Sequence, residues 1–207
     1  MIAIIDYDAG NLRSVEKALQ SLGESPIITR DPEVILHADR LILPGVGAFG
    51  DAMQKLHQYQ LTDVIRDAAA KGIPFLGICL GLQLLFESSE ESPGVEGLGI
   101  CKGQIRRIPD TPGLKIPHMG WNSLSYTAEA TGNPNGRLFS DIPEHSYVYF
   151  VHSYYLKAAD PSIVAASTEY GTLIHASIEQ ENVFACQFHP EKSGSTGLKI
   201  LKNFLSV

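Results

Sequence analysis

The stretch Pro74-Phe75-Leu76-Gly77-Ile78-Cys79-Leu80-Gly81-Leu82-Gln83 constrains the fold of this chain more than any other. It reads as a buried strand running directly into a helix, with one thiol at the junction. Glycine two places either side of Cys79 is the pattern of a sharp strand-to-helix turn, whose crowding admits only small neighbours. Such a turn is expected to push the cysteine side chain out into solvent. The N-terminus of the following helix offers unpaired N–H groups and a favourable dipole to a thiolate, which can lower a cysteine pKa from about 8.5 into the range ~3.5–7.5. A free cysteine is most often a small buried hydrophobe. The two glycines and the helix start favour a reactive Cys79.

A turn of this kind needs a sheet to sit on, and the N-terminal half supplies one. Residues 1–7 read as a short buried strand. Asp8-Ala9-Gly10-Asn11 then forms a turn and cap, and Leu12, Val15, Ala18, Leu19 and Leu22 recur at helical spacing up to Gly23. Strands are predicted over 26–29 and 40–44, with a brief helical connection over 32–36. Helices follow over 52–59 and 61–71, the second stopped by Gly72 with Pro74 beyond it. This alternation predicts an α/β fold with a doubly wound, mostly parallel sheet, in which functional groups gather at the carboxyl ends of the strands. Cys79 and the Gly45 loop both sit there. Beyond about residue 88 the texture changes to short β-like runs over 99–108, 121–126, 147–156, 163–168, 173–179 and 183–188, read as antiparallel. Residues 127–137 read as a surface loop and 194–205 as an amphipathic helix. Residues 1–207 are expected to form one domain.

Charge and cysteine usage narrow the partners. A formal net charge of −7, with only Gln104-Ile105-Arg106-Arg107 locally basic, argues against nucleic acid or an anionic membrane surface. Three cysteines at irregular spacing make neither a disulfide framework nor a metal-binding pair, so free thiols in a reducing compartment are expected. The N-terminus has no basic leader, and no apolar run approaches the ~18 residues of a membrane span. These features predict a cytoplasmic protein.

Gly45-Val46-Gly47-Ala48-Phe49-Gly50 fits the dinucleotide fingerprint G-x-G-x-x-G between a strand and a helix. The acidic residue required about 20 positions on should end a strand, whereas Asp63 and Asp67 fall inside a helical pattern. The loop is better used as one half of an oxyanion hole, the other half being the amide of Leu80 just after the nucleophile. For a base, Phe188-His189-Pro190-Glu191 is the segment whose neighbours make chemical sense. Proline biases His189 toward an extended conformation, so His189 and Glu191 should project to one side, the carboxylate holding one imidazole nitrogen and leaving the other for the thiol. Cys186, an odd number of places before His189, is expected on the opposite face. His37 and His57 read as helix-surface residues and His145 as a loop residue, while His118, His152 and His175 stay undecided. No pair has metal-ligand spacing, so neither a metal nor another cofactor is expected.

Gly77-Ile78-Cys79-Leu80-Gly81-x-Gln83 together with Gln187-Phe188-His189-Pro190-Glu191 resembles the class I (triad) glutamine amidotransferases, and the likeness runs essentially from end to end. The resemblance implies a flavodoxin-like three-layer sandwich with antiparallel additions in the C-terminal half. It implies that Cys79 attacks the carboxamide of L-glutamine, that His189 relays protons to the departing ammonia, and that Glu191 orients His189. By the same resemblance the amides of Val46 and Leu80 form the oxyanion hole, and Gly47, Gln83, Ser153 and Tyr154 contact glutamine. Pro44 to Gly50, Pro117-His118-Met119-Gly120-Trp121-Asn122 and Phe188-His189-Pro190-Glu191-Lys192-Ser193-Gly194 narrow the likeness to one branch. That branch passes ammonia to a separate (β/α)8 cyclase, which makes imidazole glycerol phosphate and an aminoimidazole carboxamide ribotide in histidine biosynthesis. The resemblance places Asn11, Trp121 and Lys192 at the interface of that heterodimer. A lone tryptophan is more often core, a lysine surface, and an asparagine before a helix a cap.

A partner is also a chemical expectation: ammonia is largely protonated at neutral pH, and one glutaminase domain uses up this chain. Two alternatives stay open, a γ-glutamyl hydrolase-like peptidase and a non-catalytic regulatory subunit. The intact Cys79, His189 and Glu191 argue against the second.

Overall fold

The computed structural model describes residues 1–126 and 136–207, so the loop expected over 127–137 falls largely outside the described residues. The chain begins β1 (Ile2–Ile5), α1 (Leu12–Ser21), β2 (Ile27–Thr29), α2 (Pro32–Leu36), β3 (Arg40–Gly45), α3 (Phe49–Gln58), α4 (Leu61–Ala70), β4 (Phe75–Cys79) and α5 (Leu80–Leu84). This is the predicted alternation. The chain continues through β5 (Ser88–Ser89), β6 (Gly103–Arg107), β7 (His118–Ser123), β8 (Ser125–Tyr126), β9 (Tyr147–His152), β10 (Tyr154–Ala158), β11 (Val164–Glu169), β12 (Leu173–Gln180) and β13 (Val183–Cys186), and α6 (Gly194–Phe204) follows.

The main sheet runs β2-β1-β3-β4-β13-β12-β10-β6-β5, with β11 beside β12 and β8 beside β11. β2, β1, β3, β4 and β13 are parallel, while β12, β10 and β6 meet their inner neighbours antiparallel. The antiparallel reading of the C-terminal half is therefore corrected at β13, which pairs parallel with β4 in the middle of the sheet. All four β13 residues, Val-Phe-Ala-Cys, are buried. A strand covered on both faces carries a continuous apolar run without alternation, the mark of a parallel position. The run over 147–156 is also divided: it breaks at Ser153, β9 pairing with β7 in a separate two-stranded sheet and β10 joining the main one.

Two apolar layers flank the sheet. One holds Phe49, Met53 and Leu56 of α3, Leu61 and Ile65 of α4, and Leu80, Leu82 and Leu84 of α5. The other holds Val15 and Leu19 of α1, Ile200, Leu201 and Phe204 of α6, and Val148 and Phe150 of β9. α1, α3, α4 and α6 each contribute one apolar stripe, which is why helical spacing such as that of Leu12 to Leu22 is informative. α3 begins three residues earlier than predicted. Its N-cap residue, Ala48, cannot cap it, and the first turn is instead satisfied from afar: Phe49 N–H donates to Glu91 Oε2 (2.8 Å) and Gly50 N–H to Ser92 Oγ (3.0 Å).

The β4–α5 junction leaves no room for a side chain at either of its glycines. A Cβ on Gly81 would lie 1.8 Å from the Leu43 carbonyl oxygen, and one on Gly77 would lie 2.8 Å from the Gly81 oxygen. Gly72 is the reverse case: it has a positive φ, +81°, and faces open space. Gly81→Ala is thus expected to destabilise the fold by more than about 3 kcal/mol, and Gly72→Ala by roughly 1–2 kcal/mol from its backbone alone. Chemical denaturation of both variants checks this, and equal shifts would contradict the packing account.

Candidate active site

Cys79 sits where β4 becomes α5 with φ 56° and ψ −111°, a conformation that side chains other than glycine rarely adopt. The predicted elbow is thus present, with one correction. The thiol does not project into solvent: Cys79 is 7% exposed, because β9 lies across it and Val151 O is 4.0 Å from its sulfur. The side chain faces into a cleft of about 370 Å³.

His189 lines the same cleft, just past β13, the strand parallel to β4. Its Nδ1 is 2.8 Å from Glu191 Oε1. The predicted contact is present, but the route differs: Glu191 lies in a 3-10 turn over Pro190–Lys192, since proline fixes a φ suited to a first helical position. Both side chains are buried, at 2% and 1% exposure. His189 Nε2 has no hydrogen-bond partner among the described residues. Burial opposes the imidazolium, but the Cys79 sulfur and the Glu191 carboxylate outweigh it and raise the His189 pKa to about 9. A thiol, an imidazole with one nitrogen unoccupied, and a carboxylate fixing the other nitrogen form an arrangement suited to covalent acyl transfer.

The loop after β3 completes one wall. Val46 and Gly47 line the cleft, and Gly47 has φ +98°. The loop is held at both ends. Behind Gly45, the buried Tyr7 hydroxyl donates to Pro44 O at 3.0 Å. Burial, reinforced by the nearby Cys79, holds the Tyr7 phenol far above its ordinary pKa, so it remains a donor. At the other end Glu91 and Ser92 fix Phe49 and Gly50 as described. Asp63 and Asp67 are exposed on α4, and Gly45 packs against Tyr7 and the elbow, which agrees with rejecting a dinucleotide site.

Every residue expected to contact glutamine lies in this one cleft: Gly47, Gln83, Ser153 and Tyr154, beside Leu80. Gln83 Nε2 donates to Tyr154 O (3.0 Å) and to Gln187 Oε1 (3.0 Å), while Gln187 Nε2 approaches the Cys79 sulfur at 3.8 Å. Four further lining residues, Glu91, Pro117, Val151 and the undecided His152, were not predicted to line the site, nor were Tyr7 and Gln187 predicted to support it. Glu91 and Tyr7 act across 42 and 37 residues respectively and carry no local signal. Gln187 could have been found, since it immediately follows the strand beside the elbow.

All three cysteines are free. Cys101 and Cys186 are buried, and burial pushes each thiol up to about 12, leaving Cys79 as the one cysteine in the cleft. The undecided histidines 118, 152 and 175 are all buried. Among the described residues no group of three His, Cys, Asp or Glu side chains could hold a metal ion, and no helix is long and apolar enough to cross a membrane.

Of the expected interface residues, Trp121 is 55% exposed, which overturns the core reading of a lone tryptophan; it stands beside exposed Met119 and Tyr147 and edge-on to Tyr149. Lys192 is exposed at the end of the turn that carries Glu191. Asn11 precedes α1 but makes no capping hydrogen bond among the described residues; its Oδ1 accepts from Ser14 Oγ at 2.8 Å. α1 and β9 both pack on the 190–192 turn, and β9 pairs with β7, the strand of Trp121.

Residues 3–207 match the glutamine amidotransferase class-I family. The chain is 52% identical to imidazole glycerol phosphate synthase subunit HisH of Thermosynechococcus vestitus, covering 100% of this chain and 96% of that protein. It is 46% identical to subunit HisH 1 of Methanococcus maripaludis, with full coverage of both. Among solved structures, a glutamine amidotransferase (TM-score 0.75, 20% identity, 100% and 98% covered) and PurLQS from Thermotoga maritima (TM-score 0.74, 22% identity, 99% and 97% covered) share the fold. The chain belongs to the class-I glutamine amidotransferase family, in the branch of the HisH subunits of imidazole glycerol phosphate synthases.

Proposed function

We propose that glutamine hydrolysis in this chain runs through Cys79 as nucleophile, His189 as proton carrier and Glu191 as the group that orients it, and that a separate (β/α)8 cyclase takes the ammonia. The observation that carries this reading is the buried His189, held by Glu191 at 2.8 Å and sharing one cleft with the strained Cys79. The Cys79 thiol passes its proton to His189 as its sulfur attacks the carboxamide carbon of L-glutamine. The amides of Val46 and Leu80 receive the oxyanion, where one such donor contributes about 2.7–4 kcal/mol in comparable enzymes. His189 gives its proton to the departing nitrogen, releasing ammonia and leaving a γ-glutamyl thioester. Water then adds to the thioester while His189 takes its proton, and glutamate leaves as the thiol is restored. Gly47, Gln83, Ser153 and Tyr154 hold the amino-acid end.

The relatives are named as subunits, and the exposed Met119, Trp121 and Tyr147 form an apolar patch of the kind that marks protein interaction sites. Docking there, with Asn11 and Lys192, would deliver ammonia to the cyclase that forms imidazole glycerol phosphate and the aminoimidazole carboxamide ribotide. Glutamine hydrolysis measured with and without the cyclase and its nucleotide ligand tests this. Strong turnover without the partner would favour a γ-glutamyl hydrolase-like enzyme.

Three variants sharpen the assignment. Cys79→Ala should abolish glutamine-dependent product formation by the complex and spare ammonia-dependent formation; equal loss of both would contradict the division of labour. Glu191→Gln should lower kcat by about 10²-fold or more while leaving the fold intact, because an amide no longer stabilises the imidazolium; a change under tenfold would remove Glu191 from the triad. Trp121→Ala should weaken binding to the cyclase by about 30-fold, equivalent to about 2 kcal/mol, with little change in thermal stability. An unchanged titration isotherm would exclude that face.

A further inference from the structure

Two buried histidines that the chemistry above does not use stand at the glutamine cleft, His152 lining it and His118 paired to His152. His118 on β7 and His152 on β9 are 2% and 6% exposed, and His118 Nδ1 is 3.0 Å from His152 Nε2. Their partners fix every proton in the pair. His152 Nδ1 is 2.9 Å from Tyr154 O, and a carbonyl only accepts, so the proton is on Nδ1. His152 Nε2 is then the acceptor, and His118 Nδ1 must donate to it. His118 Nε2 is left as an acceptor, facing Asn122 Nδ2 at 3.4 Å. The orientation of that amide is set independently: Nδ2 donates to Glu169 O (3.0 Å), and Oδ1 accepts from Ser123 N–H (2.8 Å). The result is one directed chain, from Asn122 to His118 to His152 to the Tyr154 carbonyl. An additional proton on either ring would set two donors face to face. Burial opposes that, holding His118 at about 4 and His152 at about 3.

The chain ends at a functional point. The Tyr154 carbonyl also accepts from Gln83 Nε2 at 3.0 Å, so one oxygen ties together the two sides of the cleft that are proposed to hold glutamine. Its other end is rooted in β7, whose outer face carries exposed Met119 and Trp121. The His118 ring is clamped between Phe150 (4.7 Å between centroids) and Tyr170 (3.9 Å), which limits its freedom to rotate out of line.

We infer that His118 and His152 are positioning residues for glutamine binding: as a neutral, directed hydrogen-bond pair they hold the Ser153–Tyr154 wall in register with Gln83. This rests on the reading of the cleft as the glutamine site. The pair does not touch the reacting atoms, so its loss should appear in KM and not in the chemical step. His118→Phe keeps the ring stack and deletes the hydrogen bonds. His118→Asn sacrifices the stack but returns an N–H donor near the position of Nδ1.

The test is glutamine kinetics of the complex with its cyclase and nucleotide ligand, together with the imidazole ¹⁵N spectrum of the full chain. His118→Phe should raise KM for glutamine roughly fivefold to tenfold with kcat within about twofold, the scale of one lost net hydrogen bond, and His118→Asn should recover most of that loss. The spectrum, which needs no variant, should show both rings as the Nδ1–H tautomer at neutral pH. An unchanged KM in His118→Phe, a fall in kcat alone shared by both variants, or an Nε2–H tautomer in either ring would overturn the inference. Absence of glutamine turnover in the unsubstituted complex would overturn the reading of the site and this inference with it, which separates that failure from the other three.

Discussion

The backbone of Cys79 is the constraint on which the rest of the molecule depends. A residue with a side chain held at φ 56° and ψ −111° costs of order 1–3 kcal/mol and persists only where its surroundings over-determine it. Here the surroundings are the parallel ladder of β3 and β4, whose register ends at Gly45 opposite Cys79, and the contact of Gly81 with the Leu43 carbonyl. The same geometry that strains the chain turns the thiol toward the cleft and begins α5 immediately behind it. Fold stability and the placement of the proposed nucleophile are therefore one problem, solved by the centre of a buried parallel sheet.

Around that point the protein uses polar contacts, all but one of them long-range, to hold what apolar packing cannot orient. Tyr7 and Glu91 fix the two ends of the Gly45–Gly50 loop, Glu191 fixes the His189 ring, and Gln83 with Gln187 joins the elbow to β10 and β13. The C-terminal half supplies the rest of the cleft lining, from Pro117 to His189. β13 carries His189, the proposed base, into place by lying parallel to β4, and the break between β9 and β10 at Ser153 opens the side where the amino-acid end of the substrate is proposed to bind.

What could be read in the sequence was whatever is encoded within a few residues. The elbow glycines, the α1 and α4 periodicities and the Pro190 step that brings Glu191 under His189 are all local, and each appears in the structure. The misreadings have a common origin. β13 looked like one more antiparallel run because strand direction is set by neighbours distant in sequence. Cys79 was expected in solvent because nothing near it reveals that β9 crosses over it. Trp121 could not be told from a core residue by type alone, and its exposure follows from a two-stranded sheet that leaves one face of β7 uncovered. The His118–His152 pair, 34 residues apart, was invisible for the same reason.

The central claim is that Cys79 alone carries the acyl group. Rapid quenching of the complex during turnover of glutamine, followed by mass spectrometry of the cysteine-containing peptides, tests it most directly. A γ-glutamyl thioester on Cys79, with Cys101 and Cys186 unmodified, is the predicted result. An adduct on either of the other two cysteines, or turnover with no adduct trapped on Cys79 at any quench time, would contradict it.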